Sequence, residues 1–198
     1  MIVARTGRAV ELERLIRGVP WFMRVLETVR ATHLPDGWVG AGMLRDVVWG
    51  VRSGGFDPAA VADVDVAFFD PADLSPERDA RAQAELVQRA PDLPWEATNQ
   101  AAVHTWYATY FGGDEVEPLR STADGVATWP ETATAVAVRL DGDGRLEICA
   151  PYGLDDLLDL VWRPNWRRIS ADVAARRLQK KKPASRWPGV RVIAEGPP

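Results

Sequence analysis

Two aspartates two residues apart, Asp63 and Asp65, stand at the entry of an apolar run, Val66-Ala67-Phe68-Phe69. Side chains alternate along a strand, so both carboxylates project from one face. Carboxylates that close repel each other unless a cation lies between them. Mg2+ suits such a pair, because it takes one or two carboxylates and completes its shell with water and phosphate oxygens. Upstream, Trp38-Val39-Gly40-Ala41-Gly42 reads as a short strand entering a glycine turn, with a helix from Met43. Gly40 and Gly42 let backbone approach an anion, and a helix N-terminus offers free N–H groups and a positive dipole end. Arg45, one turn into that helix, is either a phosphate ligand or the partner of a nearby acid. Each signal alone is weak: Asp-x-Asp also occurs as loop solvation, and Gly-x-Gly as a tight turn. Aspartates at the lip of a buried strand are where sites form. The pair of signals points to chemistry on a nucleoside triphosphate (NTP).

The elements that must position these residues follow from periodicity and turn chemistry. Apolar residues at helical spacing predict helices over 8–18 and 20–31, a layer over a sheet. Strands are expected at 38–39 and 64–69, with a helix over 43–51 between them. Ser75-Pro76 opens a helix that runs to about residue 89. A third short strand follows at 95–98 and a helix at 100–111, closed by Gly112-Gly113. Ser121 caps a short helix. Strands at 133–140 and 145–150 flank Asp141-Gly142-Asp143-Gly144, a hairpin turn. Helices over 154–161 and 170–182 and an edge strand within 187–193 complete the chain. Asn99, Gln100 and His104 gather at one helix start, where Asn99 and Gln100 are candidates for reading a base or an acceptor. His104 reads better as a buried, hydrogen-bonded side chain, and Asp155 and Asp156 as acids complementing a helix start.

Composition narrows the class. The chain has 198 residues, 46% hydrophobic and 26% charged, as in an ordinary globular protein. The expectation is a single domain over 1–198: N-terminal helices over 1–33, a core over 34–162 and a basic extension over 163–198. No run approaches the roughly 20 apolar residues of a membrane span, and no apolar leader opens the chain. One cysteine, Cys149, leaves no internal disulfide and suits a reducing cytoplasm. With only His33 and His104 beside it, a structural zinc site is not expected, so the metal would be a hard cation. From residue 163 onward there are ten Lys/Arg and two acids, a net of +8 against −12 for the remainder. This segment, 163–191, is either a contact for nucleic acid or a solvated face complementing the acidic body.

Strand, glycine turn, helix with Arg45, then the Asp63/Asp65 strand resembles the nucleotidyltransferase superfamily typified by DNA polymerase beta and the tRNA CCA-adding enzymes. Ala41-Gly42-Met43-Leu44-Arg45-Asp46 takes the place of the family's Gly-Gly or Gly-Ser turn and its x-Val-Arg-Asp. The departure is Ala41, where the first glycine is usual. Four further blocks are similar to a bacterial nucleotidyltransferase-like family of unassigned substrate. They are the run from Trp95 to His104, Trp129-Pro130-Glu131-Thr132, the run from Ala150 to Leu157, and Arg163-Pro164-Asn165. The resemblance spans about 12–192. It implies an α+β fold, a small mixed sheet flanked by helices with an added hairpin. It implies Mg2+-dependent transfer of a nucleoside monophosphate from an NTP to a hydroxyl or phosphate acceptor, with pyrophosphate release. Asp63 and Asp65 would hold Mg2+, while Gly40, Gly42, Arg45, Asn99 and Gln100 would face the nucleotide. The superfamily pattern also implies a third carboxylate, Glu96, with Glu147 as the fallback. The acceptor could be a small molecule, a protein or RNA, and no membrane is expected. The rival reading is a catalytically silent nucleotide-binding relative, and an intact carboxylate set is the feature that separates the two.

Overall fold

Trp38–Gly40 (β1) lies at the centre of a five-stranded sheet. On one side it pairs antiparallel with Val64–Phe68 (β2), which runs parallel to Trp95–Asn99 (β3) at the edge. On the other side it pairs antiparallel with Ala137–Leu140 (β4), the first strand of a hairpin with Leu146–Cys149 (β5). The order is β3-β2-β1-β4-β5. We describe residues 6–112, 115–193 and 196, from a computed structural model. The helices are Gly7–Arg17 (α1), Pro20–Thr32 (α2), Ala41–Arg52 (α3), Pro76–Arg89 (α4), Val103–Phe111 (α5), Thr122–Val126 (α6), Asp155–Leu158 (α7), Ala171–Lys181 (α8) and Pro183–Arg186 (α9). Strands Val161–Trp162 (β6) and Arg191–Val192 (β7) form a separate parallel pair. Among the described residues no helix is long and apolar enough to cross a membrane.

Side-chain alternation divides the sheet into two unlike faces. Val39, Val64, Val66, Phe68, Val138 and Ile148 point to one side, where they are 0–5% exposed in the main core. Helices α1, α2 and α3 supply the facing layer through Leu12, Ile16, Phe22, Leu26, Val47 and Val48, so the N-terminal helices do cover the sheet. The opposite face carries Trp38, Asp65, Ala67, Glu96 and Ala137, in register with one another across the strands. Part of it is closed by Val126 and Trp129, which pack on Trp38, Ala137 and Cys149. At the end that carries Asp65 and Glu96, Asp65 is partly buried and Glu96 is exposed.

Local signals placed most elements as expected, and the differences have identifiable causes. Residues 133–136 are not strand. They are buried, but the Thr134 and Ala135 amides turn back to the Glu131 carbonyl. The helix expected over 154–161 stops at Leu158. Leu160 takes a left-handed φ of 55°, and Val161-Trp162, both buried, pair as β6. The C-terminal edge strand is only Arg191–Val192, and it pairs with β6 rather than with the main sheet. Gln100–Ala102 is a 3-10 turn, capped by the Asn99 side chain, before α5 begins. Gly113, half of the expected stop after α5, lies outside the described residues.

Candidate active site

Asp65 sits on β2 directly opposite Glu96 on the parallel neighbour β3, and Asp63 stands just before β2. Directly paired residues on adjacent strands place their side chains about 5 Å apart on one face. Three acids therefore gather at one end of the open sheet face. Asp65 shows the electrostatic consequence: its carboxyl is pushed up to about 7. Burial is the largest cause, followed by the negative charges of Asp63 and Glu96. A backbone hydrogen bond from Met43 N–H and the charge of Lys181 pull in the opposite direction. Met43 belongs to the first turn of α3, so the helix N-terminus that follows the glycine turn is aimed at this carboxylate. The cluster lies outside two clefts of about 550 and 270 Å3, which are lined by other residues.

The glycine turn has three different residues for three different reasons. A Cβ on Gly40 would collide with the Val136 carbonyl oxygen and stand 2.9 Å from Ala137 Cα and from the Trp129 ring. Gly40 is thus required by close packing against β4. Ala41 has φ 56°, the left-handed region in which a side chain is strained. This explains why glycine is usual there. Gly42 is roomy, since a Cβ would find only Arg45 Nη2, at 3.7 Å.

Arg45 does not stand free beside this turn. It is 1% exposed, and its Nε and Nη2 donate to Asp46 Oδ1 at 2.9 and 2.5 Å. The guanidinium lies 5.6, 5.5 and 5.1 Å from the ring centres of Trp49, Trp162 and Trp187. The acid-partner alternative therefore describes its place. Asn99 is likewise occupied: its side-chain oxygen accepts from the Asp70 and Ala101 amides, and its nitrogen donates to the Asp70 and Asp73 carbonyls. That saturates the amide. Gln100 is 6% exposed, donates to the Thr98 carbonyl and packs against Gly125. Glu147 is three strands from Asp65 and forms an ion pair with Arg139 at 2.6 Å, so it does not join the cluster. His104 is partly buried, with Nδ1 unpartnered rather than hydrogen-bonded.

The remaining motif blocks brace the site. Asn165 donates to the Ala127 and Trp129 carbonyls, and Tyr152 to Ala127 as well. They hold the loop whose Trp129 abuts the glycine turn. Glu131, 1% exposed, receives Arg177 of α8 in a two-pronged pair at 2.6 and 3.0 Å. Much of the basic segment is used in this way, with Arg163 on Asp156, Arg167 on Asp124 and Arg186 on Asp46. The basic segment thus partly offsets the acidic body. Lys181 carries no local motif. Its one sequence signal is helical spacing from Ala174, Arg177 and Leu178, the inward side of α8.

The donor set suits Mg2+. Asp63 and Asp65 supply hard oxygens, and the raised Asp65 carboxyl marks negative charge that the protein alone leaves uncompensated. Among the described residues no group of three or more His, Cys, Asp or Glu forms a ready-made metal cage.

Comparison with known proteins bears on the fold and the family. A solved structure described as revealing a CCA-adding enzyme head domain is 29% identical, with a TM-score of 0.76, over 93% of this chain and 95% of that one. The Thermotoga maritima CCA-adding enzyme in complex with tRNA is 14% identical, with a TM-score of 0.56. A CCA-adding enzyme in complex with CTP is 16% identical, also at 0.56. Each of these two shares the fold over 92% of this chain, which spans only 42% and 43% of their lengths. No curated protein matches the chain. Residues 27–192 match the nucleotidyltransferase family, an enzyme family, and the chain belongs to it.

Proposed function

We propose that the protein transfers a nucleoside monophosphate from an NTP to a hydroxyl or phosphate acceptor and releases pyrophosphate. The observation that carries this reading is the meeting of Asp63, Asp65 and Glu96 beside the N-terminus of α3, with Asp65 pushed up to about 7. Asp63 and Asp65 hold Mg2+, which when bound neutralises charge on the triphosphate and favours the deprotonated acceptor. The Met43 N–H fixes the Asp65 carboxylate from the helix side. Glu96, exposed and opposite Asp65, completes the ligand set or takes the acceptor's proton. The Ala41 amide already donates to the Val136 carbonyl, so it is the Gly42 amide that receives phosphate oxygens, and Gly42 leaves room for that approach. One core reaching from α1 to Trp187 supports reading the chain as a single domain.

The acceptor class is open among small molecules, proteins and RNA. The tRNA complex of the structural relative makes an RNA end one arm of the test. Incubation with α-labelled NTPs, Mg2+ and separate protein, RNA and metabolite fractions should label one fraction. Asp65→Asn should lower labelling by at least about 100-fold, the loss expected when several kcal/mol of charge stabilisation are removed. Unchanged labelling by Asp65→Asn would overturn the site. Mg2+-dependent NTP binding without labelling in any fraction would select the silent relative.

A further inference from the structure

On the sheet face turned away from α1–α3, one row of residues changes character at the glycine turn. The strand register sets Asp65 beside Glu96, Gly40 beside Ala137, and Ala137 beside Cys149. Trp38 and Val39 pair with Ala67 and Val66, so the next antiparallel step brings Gly40 opposite Asp65. The row therefore reads Glu96, Asp65, Gly40, Ala137, Cys149 across one face. Carboxylates stand at one end of it and small side chains at the other. Trp129 covers the small end. Its ring lies 2.9 Å from the position that a Gly40 Cβ would take, and it packs with Trp38, Val126, Ala137 and Cys149. Neighbouring strands lie about 4.8 Å apart, so the indole edge stands roughly one strand spacing from Asp65.

Trp129 differs from the tryptophans that only fill the core. Trp38, Trp49 and Trp95 are 0–5% exposed, and their indole N–H groups donate to Asp36, Leu157 and Ala90. Trp129 is only partly buried, and its indole N–H makes no hydrogen bond among the described residues. The ring is nonetheless firmly placed. Asn165 donates its side-chain nitrogen to the Trp129 carbonyl and its amide to the Pro130 carbonyl. Two residues on, Glu131 is locked by the two-pronged pair with Arg177. A flat ring fixed in this way, with part of it uncovered, binds a flat ligand without first having to be ordered.

We infer that Trp129 stacks on the nucleoside of the NTP and forms the wall of the site that faces Asp65 and Glu96 across the glycine turn. This inference rests on the nucleotidyl-transfer reading of the same site. The triphosphate and Mg2+ occupy the carboxylates and the Gly42 amide. The nucleoside is the flat, uncharged remainder, and an indole is suited to it. Every base has a π face, so such a wall favours nucleotides over bare polyphosphate without selecting among bases.

Calorimetric titration with the Mg2+ complexes of ATP, GTP, CTP and UTP, and with Mg2+–tripolyphosphate, which keeps the phosphates and lacks the nucleoside, tests it. For the best-bound base, Trp129→Ala should weaken the nucleotide by about tenfold or more and tripolyphosphate by less than about threefold, as loss of one base–aromatic stack predicts. Trp129→Phe, which keeps a ring, should restore most of the nucleotide affinity. If wild type binds a nucleotide and Trp129→Ala binds it equally well, this inference falls while the site reading stands. Equal weakening of nucleotide and tripolyphosphate would reduce Trp129 to packing against the turn. A Trp129→Phe variant as weak as Trp129→Ala would remove stacking, and both results overturn the proposal. A wild type that binds no nucleotide with Mg2+ would overturn the site reading itself.

Discussion

Near the start of helix α3 stand two charges that the protein treats in opposite ways. Arg45 is almost inaccessible, yet it has an ion-pair partner in Asp46 and three aromatic faces around it. Asp65 is partly buried, and the charges that act on it most are those of two further acids, Asp63 and Glu96, with a smaller opposing pull from Lys181. Burial alone does not separate structure from function; compensation does. A charge whose partners are all supplied by the protein is a structural element. A charge that the protein surrounds with its own sign is waiting for a ligand.

The largest effect should come from the compensated side. Arg45→Ala removes the cation, leaves three tryptophans around a void and leaves Asp46 with Arg186 alone. A broken buried pair is destabilising by about 3–5 kcal/mol. Denaturant unfolding should show a loss of that size. A variant of unchanged stability that no longer binds Mg2+–NTP would break the contrast and return Arg45 to the nucleotide.

The uncompensated side should respond to pH in the reverse sense from an ordinary aspartate. Asp65 is pushed up to about 7 in the folded chain from an ordinary value of 3.8. Between those values the folded state binds more protons than the unfolded state, so stability falls as pH rises from about 4 to 7. A shift of this size corresponds to a ceiling of about 4 kcal/mol, reduced by partial solvent access. Asp65→Asn should flatten the slope and be the more stable protein at pH 8 without metal. Mg2+ should then raise the melting temperature of wild type at pH 8 and leave Asp65→Asn unmoved. Wild-type stability that rises from pH 4 to 7 with the slope unchanged in Asp65→Asn would sink the account.

The two glycines at the start of α3 also differ in how tightly they are held. Gly40→Ala pushes a methyl into the β4 backbone, which cannot rotate away, and should cost about 1–3 kcal/mol. Gly42→Ala meets nothing closer than 3.7 Å. It should leave stability within about 1 kcal/mol, on the favourable side by helix propensity. The same methyl should weaken Mg2+–NTP binding, because phosphate approach requires the space. Stability and affinity, measured on both variants, sharpen the distinction between a glycine needed for packing and one needed for a ligand. Equal losses of stability would remove it.

What was legible in the sequence, and what was not, follows from distance along the chain. The Asp63/Asp65 strand, the Glu96 strand and the Asp141–Gly144 hairpin are written in local alternation and turn chemistry. Glu96 then reaches Asp65 through the parallel register of β2 and β3. The fate of Arg45 is not local: two of its three tryptophans, Trp162 and Trp187, arrive from the far end of the chain. Residues 133–136 misled because a buried apolar run carries no sign of whether its amides pair across a sheet or turn back on Glu131. Asn99 and Gln100 misled because polar residues at a helix start serve caps as readily as ligands.

The smallest effect falls on the residue where this chain departs from its family's turn. Ala41 holds φ 56° at the start of α3, a conformation that costs an L-residue roughly 1–2 kcal/mol. Glycine adopts it freely but brings a more flexible unfolded chain, which offsets part of the gain. Ala41→Gly should therefore stabilise the protein by about 1 kcal/mol, a rise of about 2–4 °C in melting temperature for a chain of this length. Because the backbone is already in the conformation that glycine would take, Mg2+–NTP affinity should change by less than about twofold, far below the tenfold of 1.4 kcal/mol. A destabilised Ala41→Gly would mean that the turn is not left-handed and that the front of α3 stores no strain. A stabilised variant with much tighter nucleotide binding would mean instead that the alanine holds the turn away from its binding conformation, so that the strain belongs to the ligand-free state alone.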